Sequence, residues 1–225
     1  MMKRKNKQEE SVKVSLNGLA PIGLLKPAFK ESKSLFKAFQ QRKTTREIGE
    51  KKLSLQCLSN LCWAANGVNR KKGPFDISGR TAASASNSQE IDLYLAMEEG
   101  TYLYDALKHR LIPVCTEDNR SWAIGPGQTG FGDKAPVRLL FVADINKLSN
   151  TKGFQEPGLQ NPGIQKSYYF VDTGMIAANV YLFAASQGLS AWFHNCDKQS
   201  LGSKLKLNPH QEVLFGQTIG YPVRK

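Results

Sequence analysis

Along the chain, apolar positions fall either into helical spacing or into short runs of strand length. Leu35, Phe36 and Phe39 share one side of a helix over Lys33–Gln41 that Ser32 can cap. A clearer helix begins at Ser54, where Leu55, Leu58, Leu61/Cys62 and Ala65 recur at helical spacing and Asn66-Gly67 supplies a left-handed stop. Ile91–Ala96 and Thr101–Tyr104 flank Glu98-Glu99-Gly100 as the arms of a hairpin, and Tyr94, Tyr102 and Tyr104 lie on those arms. Val137–Ala143, introduced by Ala135-Pro136, is a buried strand. Asp172 caps a helix that runs to Gln187 and stops at Gly188; it is apolar nearly all round, so it belongs at the centre of the fold. Leu189–Phe193 is a strand leaving that helix, Asp197 caps a short helix to about Leu207, and Val213–Ile219 is the last strand.

The stretches between these elements are polar or small. Met1 to about Val14 is charged and predicted to be disordered, and Asn17–Pro27 reads as an extended arm lying on a surface. Residues 1–30 therefore form a basic leader and arm ahead of a domain spanning 31–225. Asn69–Gly79 and Thr151–Gly163 read as loops, and Trp122–Gly132 carries four glycines. That glycine run lacks the terminal Gly-Lys-Ser/Thr of a nucleotide P-loop, so a mobile loop within Thr116–Lys134 is the better reading. Thr81–Gln89 holds almost no bulk and lets backbone amides approach a partner or ligand. Helices and strands mix without regular βαβ alternation, which favours an α+β domain with a mostly antiparallel central sheet flanked by helices.

Composition narrows the function classes. A hydrophobic fraction of 40% and a charged fraction of 22% are those of a globular protein. No apolar run approaches a membrane span, and the basic start leads into no apolar signal core, so the chain reads as cytoplasmic. The formal charge of +12 suggests nucleic acid until it is located. Met1–Arg46 holds twelve Lys/Arg against three Asp/Glu, a net of +9; the remainder holds nineteen against sixteen, a net of +3. A specific nucleic-acid reader carries its basic face on the fold itself, so specific DNA or RNA binding is not indicated. Cys57, Cys62, Cys115 and Cys196 have no metal-ligand spacing with His109, His194 or His210, and read as buried free thiols.

One cluster does point to a ligand. Arg42-Lys43-Thr44-Thr45-Arg46 packs three cations and two hydroxyls into five residues. Like charges that close repel unless something anionic neutralises them. A phosphate monoester suits: arginine grips it with paired N–H donors, lysine adds a point charge, and threonine adds short hydrogen bonds. A solvated basic turn is the plainer alternative.

In order along the chain, these segments resemble the nitroreductase family of FMN-dependent flavoproteins. Gln41–Ile48 is similar to that family's Arg-Arg-Ser-x-Arg-x-Phe opening, and Thr81–Gln89 to its Pro-Ser-Ala-x-Asn-x-Gln segment. Ala135-Pro136-Val137 with the strand to Asp144 resembles its Ala-Pro-strand element. Ala184–Trp192 resembles its Ala-Ala-x-x-Gly-Leu-Gly-x-x-Trp joint, and Ile219-Gly220-Tyr221-Pro222 its final strand. The Tyr94–Tyr104 hairpin is more like the branch related to peptide-azoline dehydrogenases. Thr44 stands for the usual serine, Ile48 for phenylalanine, Ala83 for proline and Ser190 for a glycine.

The resemblance implies a homodimer with FMN at the interface. Arg42 and Thr44 would hold the FMN phosphate with Lys43 beside them, and Arg46 would face the pyrimidine edge of the ring. Ser84 and Asn87 would come from the other subunit. The backbone from Trp192 through Phe193 and His194 to Asn195 would run past N5 and O4, and Arg224, with Lys225 less directly, would return to the phosphate. Taken alone, His194 reads as a packed or surface histidine and Trp192 as core. The implied activity is hydride transfer from NADH or NADPH through flavin N5 to a nitroaromatic, quinone or related acceptor by ping-pong turnover, with no general acid or base required of the protein. The alternatives are a flavin dehydrogenase oxidising a small-molecule or peptide-derived substrate, and a non-redox protein that binds polyanions through its basic leader.

Overall fold

The computed structural model describes residues 16, 18–28, 33–128, 130, 132 and 134–223. Strand β1 (Ile22–Gly23) comes first, then helices α1 (Leu35–Gln41) and α2 (Leu55–Asn66) and a small ribbon of β2 (Val68–Arg70) and β3 (Gly79–Arg80). Strands β4 (Ile91–Met97), β5 (Gly100–Asp105), β6 (Arg110–Cys115) and β7 (Val137–Asp144) follow. After α3 (Ile145–Ser149) comes the long α4 (Pro162–Gln187), then β8 (Ser190–His194), α5 (Lys198–Lys204) and β9 (Gln211–Gly220). Seven strands make one antiparallel sheet in the order β1-β6-β5-β4-β7-β9-β8.

The sheet is covered on both faces, which is why its central strands are nearly continuous apolar runs. Side chains alternate across it. Leu93, Leu95, Leu139 and Phe141 face α2 and α4, whereas Tyr94, Ala96, Leu140 and Val142 face α5 and Ala123. A bulge between Phe141 and Val142 skips Leu214 of β9, so the adjacent Leu214 and Phe215 enter the same layer while Val213 enters the other. Among the described residues no helix is long and apolar enough to cross a membrane.

The hairpin, β7, β8, the Asp197-capped helix and β9 lie where the patterning places them. Other elements differ for identifiable reasons. Ser34 caps α1 through a 3.3 Å bond from Lys37 N–H; Ser32 lies outside the described residues. Helix α2 ends without a left-handed residue: Gly67 is extended, and a Cβ there would lie 2.6 Å from Trp63 Cα, so close approach rather than turn geometry requires glycine.

Helix α4 begins ten residues before Asp172. Asn161 accepts bonds from Gly163 and Ile164 N–H, and Pro162 occupies the first turn, where its missing donor costs nothing. Asp172 is therefore buried mid-helix and does not cap it. Strand β6 was not apparent because Pro113 interrupts its run; it pairs opposite Tyr102 beside a bulge. The Asn69–Gly79 stretch folds as the β2–β3 ribbon.

The arm is stitched to the sheet. Strand β1 pairs with β6 at the edge, Leu25 N–H donates to Ser59 Oγ at 2.9 Å, and Ala28 N–H to Asn60 Oδ1 at 2.9 Å. All four cysteines are free; Cys62 and Cys196 are buried, but Cys57 and Cys115 are only half-buried. Replacing Gly67 with alanine is expected to lower stability by about 1–3 kcal/mol in urea unfolding, because the displaced neighbour is backbone and cannot yield as a side-chain tip would.

Candidate functional site

After α1 the basic segment leaves regular secondary structure, and Arg42, Lys43 and Arg46 are exposed. Thr45 N–H donates to Ala191 O at 2.9 Å and ties the segment to β8, the last strand of the sheet. The Tyr181 hydroxyl, reaching out from α4, accepts Phe193 N–H at 2.8 Å and shares a 3.0 Å hydrogen bond with Thr44 Oγ1. Three separate segments thus meet at one phenolic oxygen. The Arg42 guanidinium lies 5.6 Å from the Tyr181 ring centre, and that of Arg46 lies 5.4 Å from the Trp192 ring. Among the described residues none of Arg42, Lys43 and Arg46 has a carboxylate partner.

Two hollows flank this segment. One of about 450 Å3 is lined by Lys43, Thr45, Tyr181, Gly188 and Ser190. The other, about 480 Å3, lies between Arg46, Ile48, Gly132 and Lys134. The end of β9 closes onto the same place, since Ile48 bridges Pro222 and Gly49 N–H donates to Tyr221 O at 2.8 Å. Arg224 and Lys225 lie outside the described residues.

Of the β8 residues, Trp192 is buried and shows Arg46 one ring face. Phe193 packs against Phe215 with ring centres 4.9 Å apart. His194 is buried with both ring nitrogens occupied. Its Nδ1 lies 2.8 Å from Asn195 O, which can only accept, so Nδ1 carries the proton and Nε2 accepts from Thr218 Oγ1 at 2.7 Å. The ring faces the fold's interior, so what 192–195 can offer a ligand is mainly backbone. Burial pulls His194 down to about 4.

Ser84 and Asn87 sit in a strained turn. Ser86, Asn87 and Gln89 all have positive φ, and a bond from Gln89 N–H to Ser84 Oγ at 3.0 Å closes the turn. Buried Asp172 anchors it by accepting Ala85 N–H at 2.8 Å. Fully buried Glu90 lies beside that carboxylate and accepts Ser88 Oγ–H at 2.6 Å; burial, then the Asp172 charge, raises its pKa well above the carboxylate range. Asp172 and Tyr181 stand nine residues apart on α4, roughly 14 Å along its axis. A single chain therefore does not bring the Ser84/Asn87 turn and the Arg42–Arg46 segment together.

Tyr181 and Asp172 are the positions that sequence reasoning did not assign to the site. Their signal was present: Asp172 is the one carboxylate of α4, and the Tyr181 hydroxyl stands between Val180 and Leu182, where an unpartnered group would be costly.

The match to known proteins spans nearly the whole of this architecture. The nitroreductase family model matches residues 39–221, from the end of α1 to the residue after β9. The chain belongs to the nitroreductase family. Its members are flavin oxidoreductases. A Methanocaldococcus jannaschii protein bearing a nitroreductase name is 27% identical over 156 residues, covering 66% of this chain and 72% of that protein. A crystal structure of a Ralstonia eutropha JMP134 protein described as a nitroreductase has a TM-score of 0.78 at 30% identity and covers 95% of this chain and 94% of that one. The fold also recurs in the Escherichia coli microcin synthetase McbBCD complex, with a TM-score of 0.64 at 17% identity, covering 90% and 78% of the two chains.

The buried groups of this nitroreductase give its stability a definite pH dependence. A free histidine titrates near 6.5, whereas folded His194 titrates at about 4. Between those values the unfolded chain binds a proton that the folded chain refuses, so stability falls as pH drops from 6.5 to 4, by on the order of 3 kcal/mol. Glu90 acts in the opposite sense: folded Glu90 keeps a proton that the unfolded chain has released above the carboxylate range, so stability also declines as pH rises from there toward neutrality. Urea melts across pH should show His194→Gln flattening the acid limb and Glu90→Gln the upper one.

Proposed function

We propose that this chain is a homodimeric, FMN-dependent oxidoreductase that takes hydride from NADH or NADPH and delivers it to a nitroaromatic, a quinone or a related acceptor by ping-pong turnover. The observation that carries this reading is the Arg42–Lys43–Arg46 cluster, whose segment is fixed by Tyr181 and β8 and which has no carboxylate partner among the described residues. Holding Arg42 and Lys43 side by side is unfavourable unless a dianion such as a phosphate monoester completes them. FMN, when bound, supplies that phosphate and an N5 that accepts and returns hydride.

This chain's residues then bind, orient and polarise. Arg42 and Lys43 neutralise the phosphate, and Thr44 Oγ1, held by Tyr181, presents its remaining capacity to the same group. Arg46, braced on Trp192, offers positive charge to the pyrimidine edge, where negative charge accumulates on reduction. The backbone of 192–195 borders the ring.

A second copy fits this reading, in which Ser84 and Asn87 come from the other subunit: within one chain their turn and the cations are anchored nine residues apart on α4. The surface fits that role. On α4, Ile164, Tyr168, Val171 and Met175 follow each other at intervals of four, three and four and are all exposed. On α1, Leu35, Phe36 and Phe39 are exposed and only Ala38 is buried. An apolar seam at that spacing is one that a matching helix face covers.

Purified protein is expected to be yellow, with the visible spectrum of a bound oxidised flavin that bleaches on anaerobic addition of NADH or NADPH. Colourless protein that neither binds added FMN nor gains thermal stability from it would refute the proposal. Arg42→Ala should lower FMN affinity by about tenfold or more, since a charge-assisted hydrogen bond contributes about 1.5–3 kcal/mol. Val171→Asp should shift the protein from dimer to monomer in sedimentation velocity and release the flavin with it; flavin kept by a monomer would remove the shared-site arrangement.

A further inference from the structure

A separate cleft of about 280 Å3 opens between the β2–β3 ribbon and the β4–β5 hairpin. Its polar wall centres on Arg80, which is half-buried and has no carboxylate partner among the described residues. The guanidinium donates from Nε to Gln89 Oε1 at 2.6 Å and from Nη1 to Asn66 O at 3.4 Å. Those bonds use two of its five N–H groups. Burial also pulls its pKa below the ordinary guanidinium value.

The neighbouring groups do not neutralise it. Asp92, the cleft's one carboxylate, already pairs with Lys147 at 2.6 Å. Arg80, Lys147 and Asp92 therefore leave the cleft with one net positive charge. Tyr104 offers only its ring. His109 Nε2 lies 3.0 Å from Leu25 O and so carries the imidazole proton, which makes Nδ1 the acceptor of the Tyr104 hydroxyl hydrogen at 2.8 Å. The remaining walls are apolar, formed by Ile91, Leu93, Ala106 and, at the rim, Leu107, which is 72% exposed.

We infer that this cleft binds a small organic carboxylate, its carboxylate paired with Arg80 and its short apolar body laid against Leu93, Ala106 and Leu107. The Nη1/Nη2 edge of the guanidinium, which keeps three N–H groups, suits the paired oxygens of a carboxylate. The apolar walls favour a ligand with a hydrocarbon part over inorganic phosphate. At about 30 Å3 per non-hydrogen atom the volume admits roughly nine of them, the size of benzoate.

The cleft also communicates with the turn described above. Gln89, which accepts from Arg80, donates from Nε2 to Asn87 Oδ1 at 3.0 Å and to Ser78 O at 2.6 Å. An occupant that draws Arg80 toward itself therefore loads a chain of bonds ending on Asn87. That consequence rests on the flavin reading, since only there does Asn87 contact the cofactor. Binding in the cleft does not depend on it.

The test uses the full chain, with benzoate and butyrate as probes and benzamide and inorganic phosphate as comparators. Benzoate is expected to raise the melting temperature saturably and to shift the Arg80 Nε–H resonance in 15N-arginine-labelled protein, whether or not flavin is bound. Benzamide, which lacks the charge, should do neither. Arg80→Met should abolish the response, and Leu107→Trp, which crowds the mouth and leaves Arg80 in place, should weaken it about tenfold or more. If Arg80→Met does not fold, Leu107→Trp and the arginine resonance decide the matter. An unmoved Arg80 resonance, equal responses to benzoate and benzamide, or phosphate binding as tightly as benzoate would each overturn the assignment.

Discussion

The arrangement turns on a single phenolic oxygen. Three cations with no carboxylate partner among the described residues would drift apart in a free loop, because like charges repel. The Tyr181 hydroxyl prevents this by holding Thr44 and the Phe193 amide together, while Thr45 is clamped to Ala191. The cations are thus preorganised: a phosphate arriving there meets positive charge already in place. Arg46 is set in the same way by the face of Trp192, at a height fixed by β8 and not by solvent.

Helix α4 sets the geometry of everything else. It lies on the sheet through Ile176, Ala177, Val180 and Ala184, carries Tyr181 near one end and Asp172 near its middle, and turns a run of apolar side chains outward. The helix that packs the core therefore also fixes the spacing between the Ser84/Asn87 turn and the basic segment, the two halves of the proposed site. Because that spacing is about nine residues of rigid helix, flexing within one chain cannot close it. The outward seam and the divided site are two results of one element's placement, so they support the same conclusion from different physics, one hydrophobic and one geometric.

Much of the fold was legible where one local rule acted alone. The β4–β5 hairpin announced itself by alternation around Glu98-Glu99, and the six apolar residues of β7 admitted no other reading. Misreadings arose where two rules met. Asn161-Pro162-Gly163 looks like a loop by composition but serves as a cap and first turn, and it hid ten residues of α4. Asp172 looked like a cap because a carboxylate inside an apolar helix is costly; the compensating Ala85 amide and the Glu90 carboxyl lie 87 and 82 residues away in sequence, where no local pattern reveals them. The basic segment was visible as chemistry, but its fixing by Tyr181 spans 137 residues and could come only from the fold.

The departures from the family pattern bear on how much of the site is inherited backbone. Ser190 replaces a glycine, which would matter if that position needed a left-handed conformation. It is instead the first residue of β8, is absent from the positive-φ residues, and is buried opposite Gly220. The left-handed residue at this joint is Gly188, two positions earlier, with φ of 68°. The helix therefore reverses at a glycine that the chain retains, and by Ser190 the backbone is extended and accepts any side chain. The substitution leaves the path of 192–195 intact and adds a hydroxyl-bearing residue to the wall of the hollow beside Lys43. The serine thus contributes to the lining of that hollow and leaves the course of the strand unchanged.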